Sequence, residues 1–218
     1  MKRTQIGDIL WLFVLLLITA FLIIPQTRQV FIQQTNAHPY LMGFIKFATL
    51  ATMGELLAIR LAKRTWTKPV GFLFKVFVWG VVGILITFMF SFYSAGVETM
   101  LAPFNMANAV FLKFLAAFLT STIMNLTFGI VFMGAHRISD MYIEMKVAKN
   151  RFSFEGLVKA IDWKVFITFV VGKTIPLFWI PAHTITFLLP PYLRVIVAAY
   201  LSILLGLILA STKFKKSV

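Results

Sequence analysis

The stretch ILWLFVLLLITAFLII, residues 9–24, decides the fold class. It carries no charge and is closed by Pro25-Gln26. On a soluble amphipathic helix polar residues would return every three or four positions, and here they do not. Lys2 and Arg3 precede the run, as they would in a secretory signal. Its end, Ala20-Phe21-Leu22-Ile23-Ile24, offers no small-residue cleavage site, so it is read as an uncleaved membrane anchor.

Five further apolar segments follow. They cover residues 39–62, 70–92, 104–133, 163–189 and 193–210, and the fifth crossing is interrupted by Pro176 and Pro181. The chain has 218 residues, 60% of them hydrophobic and 13% charged, with a mean hydropathy of +0.91. Soluble domains are nearer half apolar and a quarter charged. A water-soluble domain, a disordered chain and a nucleic-acid binder are thereby excluded, despite a formal charge of +14. Six helices of about 20 residues each leave only short loops and two tails. The expected fold is all-α: one integral membrane domain over residues 1–218, a bundle of six transmembrane helices. The absence of cysteine removes disulfides, thiolate metal sites and thiol nucleophiles, and no cofactor is expected.

The charges sort by loop. Fifteen of the 21 basic residues fall in the N-terminal tail, residues 60–68, residues 137–164 and the C-terminal tail. The opposite side holds only Arg28 and Arg194, and four lysines (Lys46, Lys75, Lys113, Lys173) lie within spans. Basic loops stay cytoplasmic. Both termini and the 134–162 loop are therefore expected inside, where the excess charge favours anionic lipid. Nothing resembles an organellar presequence, and a prokaryotic plasma membrane is the expected location.

Within the long loop, Ile138, Met141, Tyr142 and Met145 mark one amphipathic helix. Phe154, Leu157, Val158 and Ile161 mark a second, with Ser153 placed to cap it and Lys149-Asn150-Arg151 as a turn between them. Both are expected to lie at the membrane interface, with a docking site for a cytoplasmic partner as the alternative.

Ionisable groups inside a span are costly and point to function. Lys46, Lys75 and Lys113 lie close enough to span ends to snorkel. Glu55 does not. It shares a stripe with Ala48, Ala51, Thr52, Ala58 and Ala62, where another helix can approach closely. Lys46 is about 180° around the helix from Glu55, so the two are not expected to pair. Lys113, Ala117, Ser121, Asn125 and Gly129 recur every fourth residue along the fourth span. Lys173 lies three residues before Pro176. Prolines free backbone carbonyls upstream, and with His183 nearby this resembles a transporter cavity. The alternative is a kinked helix whose carbonyls are satisfied by Thr168 or Thr174. Glu55 and Lys173 lie at depths about one turn apart, and an electrostatic pair between them is expected.

His38, His136 and His183 show no zincin spacing, and no nucleophile elbow or phosphate-cradling glycine loop occurs. The chain is not expected to be an enzyme. His38-Pro39, then Gly54-Glu55-Leu56-Leu57-Ala58, then Pro181, Phe187, a proline at 190 or 191 and Arg194 resemble the twenty-two-kilodalton peroxisomal membrane protein family, which includes a small mitochondrial inner-membrane protein. The resemblance spans roughly residues 38–210. The resemblance implies a compact helical bundle and a channel for small solutes, and it singles out Glu55 and Arg194. Departures from the family pattern are Glu55 for Asp, Ile59 for Gln, Thr186 for Asn and a Phe187–Arg194 interval one residue short. The leading function is passage of a small solute or ion between spans two, four and five, along Glu55, Lys173, Asn125, Lys113, His183 and Arg194. The alternative is a non-transporting scaffold or partner subunit, and either is compatible with a homo-oligomer.

Reporter fusions at Val218 and within residues 137–159 should read cytoplasmic, and fusions at Gln33 and Ala102 external. An external C-terminus would overturn the six-span reading.

Overall fold

The computed structural model describes residues 3–104, 109–149 and 153–214, and the side chains among residues 4–208 of these. Eight helices make up the described chain. They are α1 (Arg3–Ile23), α2 (Pro25–Ala37), α3 (Pro39–Lys63), α4 (Phe72–Leu101), α5 (Ala109–Val147), α6 (Phe154–Ala160), α7 (Trp163–Leu188) and α8 (Pro191–Phe214). All except α2 and α6 are long and apolar enough to cross a membrane, giving six candidate spans. Asn150 and Arg151 of the expected turn lie outside the described residues, as do Lys2, Lys215 and Lys216 of the tails.

Helix α3 is the axis of the bundle, packing most extensively against α4 and α8. Glycine makes both contacts possible. A Cβ on Gly83 of α4 would run into the backbone carbonyl of Gly43 in α3. A Cβ on Gly54 would lie 3.0 Å from the backbone of Ser202 in α8. Small residues at helix crossings bring backbones together in lipid, where apolar side chains gain little by leaving the bilayer for each other. A second pair, α5 with α7, joins this trio through α4 and α8. Leu50, Met124 and Ile175 are among the fully buried side chains of the interior.

Helix α1 stands apart. Nine of its large apolar side chains, from Ile6 to Ile23, are exposed. It is tied to the bundle by hydrogen bonds from Trp11 Nε1 to the Met53 carbonyl (3.1 Å) and between Thr19 and Tyr200 (2.9 Å), and by a two-pronged Asp8–Arg60 ion pair.

Three expectations change in detail. Residues 25–37, expected as a loop, form a helix: Pro25 occupies its first turn, and Phe31 and Thr35 are buried. The third span continues past residue 92 to Leu101, since nothing breaks the helix before Ala102-Pro103. The fourth does not stop at 133. It runs on as one helix of 39 residues, about 58 Å long against a hydrocarbon core of about 30 Å. The first amphipathic segment of the loop is therefore the continuation of a span. The second is the separate helix α6, whose Ser153 hydroxyl accepts from the Gly156 amide. Its apolar stripe divides: Leu157 and Ile161 are buried within the protein, whereas Phe154 points outward.

Because Gly83 meets backbone, Gly83→Ala should destabilise the bundle by about 1–3 kcal/mol, the usual cost of overpacking. Gly96→Ala, with open space at its Cβ, should leave the midpoint of thermal denaturation in the same detergent unchanged.

Candidate functional site

The buried polar groups gather at three levels. At the end of the bundle that holds the start of α1 and the end of α3, Lys75 Nζ lies 3.0 Å from Glu55 Oε1, 3.3 Å from Asp140 Oδ1 and 3.8 Å from Glu144 Oε1. Trp79, one turn beyond Lys75 on α4, donates its indole N–H to Glu55 Oε2 at 3.1 Å. His136, one turn before Asp140 on α5, lies against the Trp79 ring with centroids 4.3 Å apart. Its Nε2 is 3.7 Å from Asp140 Oδ2, while its buried Nδ1 has no hydrogen-bond partner among the described residues. Three of the chain's seven acidic residues thus surround one ammonium. The ion pairs offset a desolvation that neither sign of charge could bear alone.

The expected Glu55–Lys173 pair is not formed. Lys173 is exposed on α7, and Glu55 is held by Lys75 and Trp79. α3 packs chiefly against α4 and α8, and Lys173 faces away from the interior on α7. Lys75, read as snorkelling, is instead only 6% exposed and is the centre of the cluster. The signal for this lay in the sequence. His136, Asp140 and Glu144 recur every fourth residue on one helix face, and Glu55 and Lys75 lie on the two arms of one short helical hairpin.

The middle level joins α5 and α7. Asn125 Nδ2 lies 3.1 Å from His183 Nδ1 and donates to the Ser121 carbonyl at 2.8 Å. The Ser121 hydroxyl in turn donates to the Ile180 carbonyl at 2.7 Å. Asn125 and His183, both expected in the interior, are therefore brought together and buried. Here both helices depart from α-helical winding. A π-helical turn occupies Asn125–Gly129 in α5, and Phe166–Trp179 of α7 is π-helical for 14 residues with Pro176 inside it. The fifth span is thus rewound rather than broken. Thr168 donates to the Lys164 carbonyl and Thr174 to the Phe169 carbonyl, five residues back. Most π-helical segments are single turns, and they are frequent at functional sites.

The third level is at the opposite end. A cavity of ≈ 220 Å³ is lined by residues of α2, α3, α4 and α8. Lys46 is buried there beneath α2 and donates to Thr35 Oγ1 at 3.0 Å, its ammonium 4.6 Å from the centre of the Phe31 ring. It cannot snorkel outward because α2 covers it. As expected, Lys46 and Glu55 are not partners. Arg194 is half-buried, donating from Nε to the Leu189 carbonyl and from Nη1 to Ser94 Oγ. Phe90 lines the cavity on one side and meets the His183 ring edge-on at 5.5 Å, so this level borders the middle one. Lys113 is exposed on α5 and belongs to none of the three levels.

Lys75→Met should cost about 3–5 kcal/mol, because it strands carboxylates in a partly buried site. Glu55→Gln should cost less, since Asp140 and Glu144 remain beside the ammonium. A double-mutant cycle in thermal stability should give a Glu55–Lys75 coupling of about 0.5–3 kcal/mol. The same cycle between Glu55 and Lys173 should be additive.

Compared with protein-family models, curated proteins and solved structures, the chain matches none.

Proposed function

We propose that this multi-pass membrane protein carries a small solute or ion along the seam where α5 and α7 meet the α3–α4–α8 trio. The observation that carries the reading is the buried Asn125–His183 contact at the place where α5 and α7 both rewind. Irregular backbone at membrane depth is tolerated where it is buried in protein or lines a cavity. A polar pair beside it supplies the hydrogen-bonding groups that a desolvating solute needs. The cavity with Lys46 and Arg194 lies on one side of this contact. Glu55 contributes at the other end, through the acidic cluster about Lys75. Lys113 and Lys173, facing outward, drop out of the proposed path.

The segregation of basic residues supports cytoplasmic termini, a plasma membrane and a cytoplasmic face drawn to anionic lipid. The role is non-enzymatic in this reading. The resemblance of His38-Pro39 and Gly54-Glu55 to the peroxisomal membrane protein family belongs to the same proposal. In the structure Pro39 opens α3 and Gly54 seats it on α8. One observation favours the alternative of a non-transporting subunit: the charges at the Lys75 level are already mutually compensated.

Purified protein in liposomes should pass at least one member of a panel of small anions, cations and neutral solutes faster than protein-free liposomes. Asn125→Leu and His183→Leu should each slow that flux by about tenfold, the equivalent of about 1.4 kcal/mol, without loss of the folded state. Flux equal to that of empty liposomes across the panel would leave the subunit reading.

A further inference from the structure

The cavity between α2, α3, α4 and α8 has an electrical imbalance. Lys46 is 4% exposed, and its only hydrogen bond among the described residues is to a neutral hydroxyl. The second cation, Arg194, reaches the same cavity from α8. A third, Arg28 of α2, is exposed beside it and donates to the Tyr192 hydroxyl at 3.4 Å. Because Tyr192 accepts that bond, its own proton stays available to a ligand, and Tyr192 is also part of the lining. Among the described residues no carboxylate lines the cavity. Glu98, one turn beyond Ser94 on α4, is exposed and outside the lining, though near enough to act electrostatically on Arg194; Lys46 has no such carboxylate among the described residues.

The other charged site of the bundle behaves differently: there one lysine has three carboxylates within reach. A buried ammonium without a counter-charge is expensive. The ring of Phe31 and one threonine oxygen offset only part of that cost. The cavity is large enough for several water-sized groups, and the charged residues of its described lining, Lys46 and Arg194, are both cations.

We infer that this cavity is a binding site for a phosphate-type oxyanion, held between the Lys46 ammonium and the Arg194 guanidinium with the Tyr192 hydroxyl as a further donor. Arginine and lysine together suit such a ligand, one as a planar fork and the other as a compact charge. The oxyanion is either free phosphate or the phosphodiester of an anionic lipid headgroup. The site stands as a binding site whether or not anything crosses the bundle, so it is read by binding and not by flux.

The full-length protein in a lipid-free, uncharged detergent is titrated with inorganic phosphate, chloride replacing it at matched ionic strength, and thermal stability is followed. In parallel, the protein in nanodiscs containing phosphatidylglycerol and phosphatidylcholine is released, and the lipid it retains is identified by native mass spectrometry. Saturable stabilisation by phosphate identifies the free ion. Retention of phosphatidylglycerol without competition by phosphate identifies the headgroup. Either result supports the site if Lys46→Met and Arg194→Gln each weaken it by about tenfold or more, as loss of a charge-assisted hydrogen bond does. Lys173→Gln, which removes an exposed charge, should leave it unchanged. Lys46→Met removes a buried charge and is expected to fold; should it not, Arg194→Gln decides alone. No oxyanion-dependent stabilisation and no selective lipid retention by the unaltered protein would overturn the inference. So would binding that is indifferent to both substitutions.

Discussion

Helix α3 must approach backbone on two sides at once, and the rest of the bundle is arranged around that requirement. Gly43 meets Gly83 of α4 and Gly54 meets Ser202 of α8. In lipid there is no hydrophobic gain from hiding leucine against leucine, so packing and polar contacts must hold helices together. Once α4 is drawn against α3, Lys75 comes to Glu55 and Trp79 to the same carboxylate. Once α8 is drawn against the other side, Arg194 comes to the cavity that Lys46 shares. The two charged sites are thus set by one helix, near its two ends and on different faces.

That geometry also distinguishes the two charged sites. Three carboxylates surround the buried Lys75 at one, whereas among the described residues no carboxylate lines the cavity that holds Lys46 and Arg194. The Asn125–His183 contact lies between them and carries no fixed charge of its own. Phe90 stands between it and the cationic cavity, and Trp79 lies against His136 at the acidic end. An aromatic ring thus lies within or beside each polar level, with Phe31 under the Lys46 ammonium at the third.

The crossings were legible in the sequence because a span must be apolar over a length the bilayer dictates. Runs such as residues 9–24, uncharged over nearly the length a bilayer requires, read as crossings. The interior positions of Glu55, Asn125 and His183 were legible too, from small-residue stripes and the cost of burying polar groups. Partner identity was not. Depth can be counted along a helix, but which side of α7 carries Lys173 depends on how the helix is wound. The π-helical stretch Phe166–Trp179 alters that phase in a way no periodicity of 3.6 residues anticipates. The burial of Lys46 is illegible for another reason: it lies within snorkelling reach of its span end, but α2, whose polar sequence gives little helical signal, lies over it.

The sparse attachment of α1 bears on how the chain is assembled. Its hydrogen-bonding partners, Met53 and Tyr200, lie 42 and 181 residues further along. During synthesis α1 therefore enters the bilayer long before the last helix that will hold it exists. A helix in that position must survive alone in lipid, with every face compatible with acyl chains. The unbroken apolar sequence of residues 9–24 meets that demand, and its few polar hooks can wait. Biogenesis, as much as the finished contacts, accounts for a helix that is greasy all round and barely embraced.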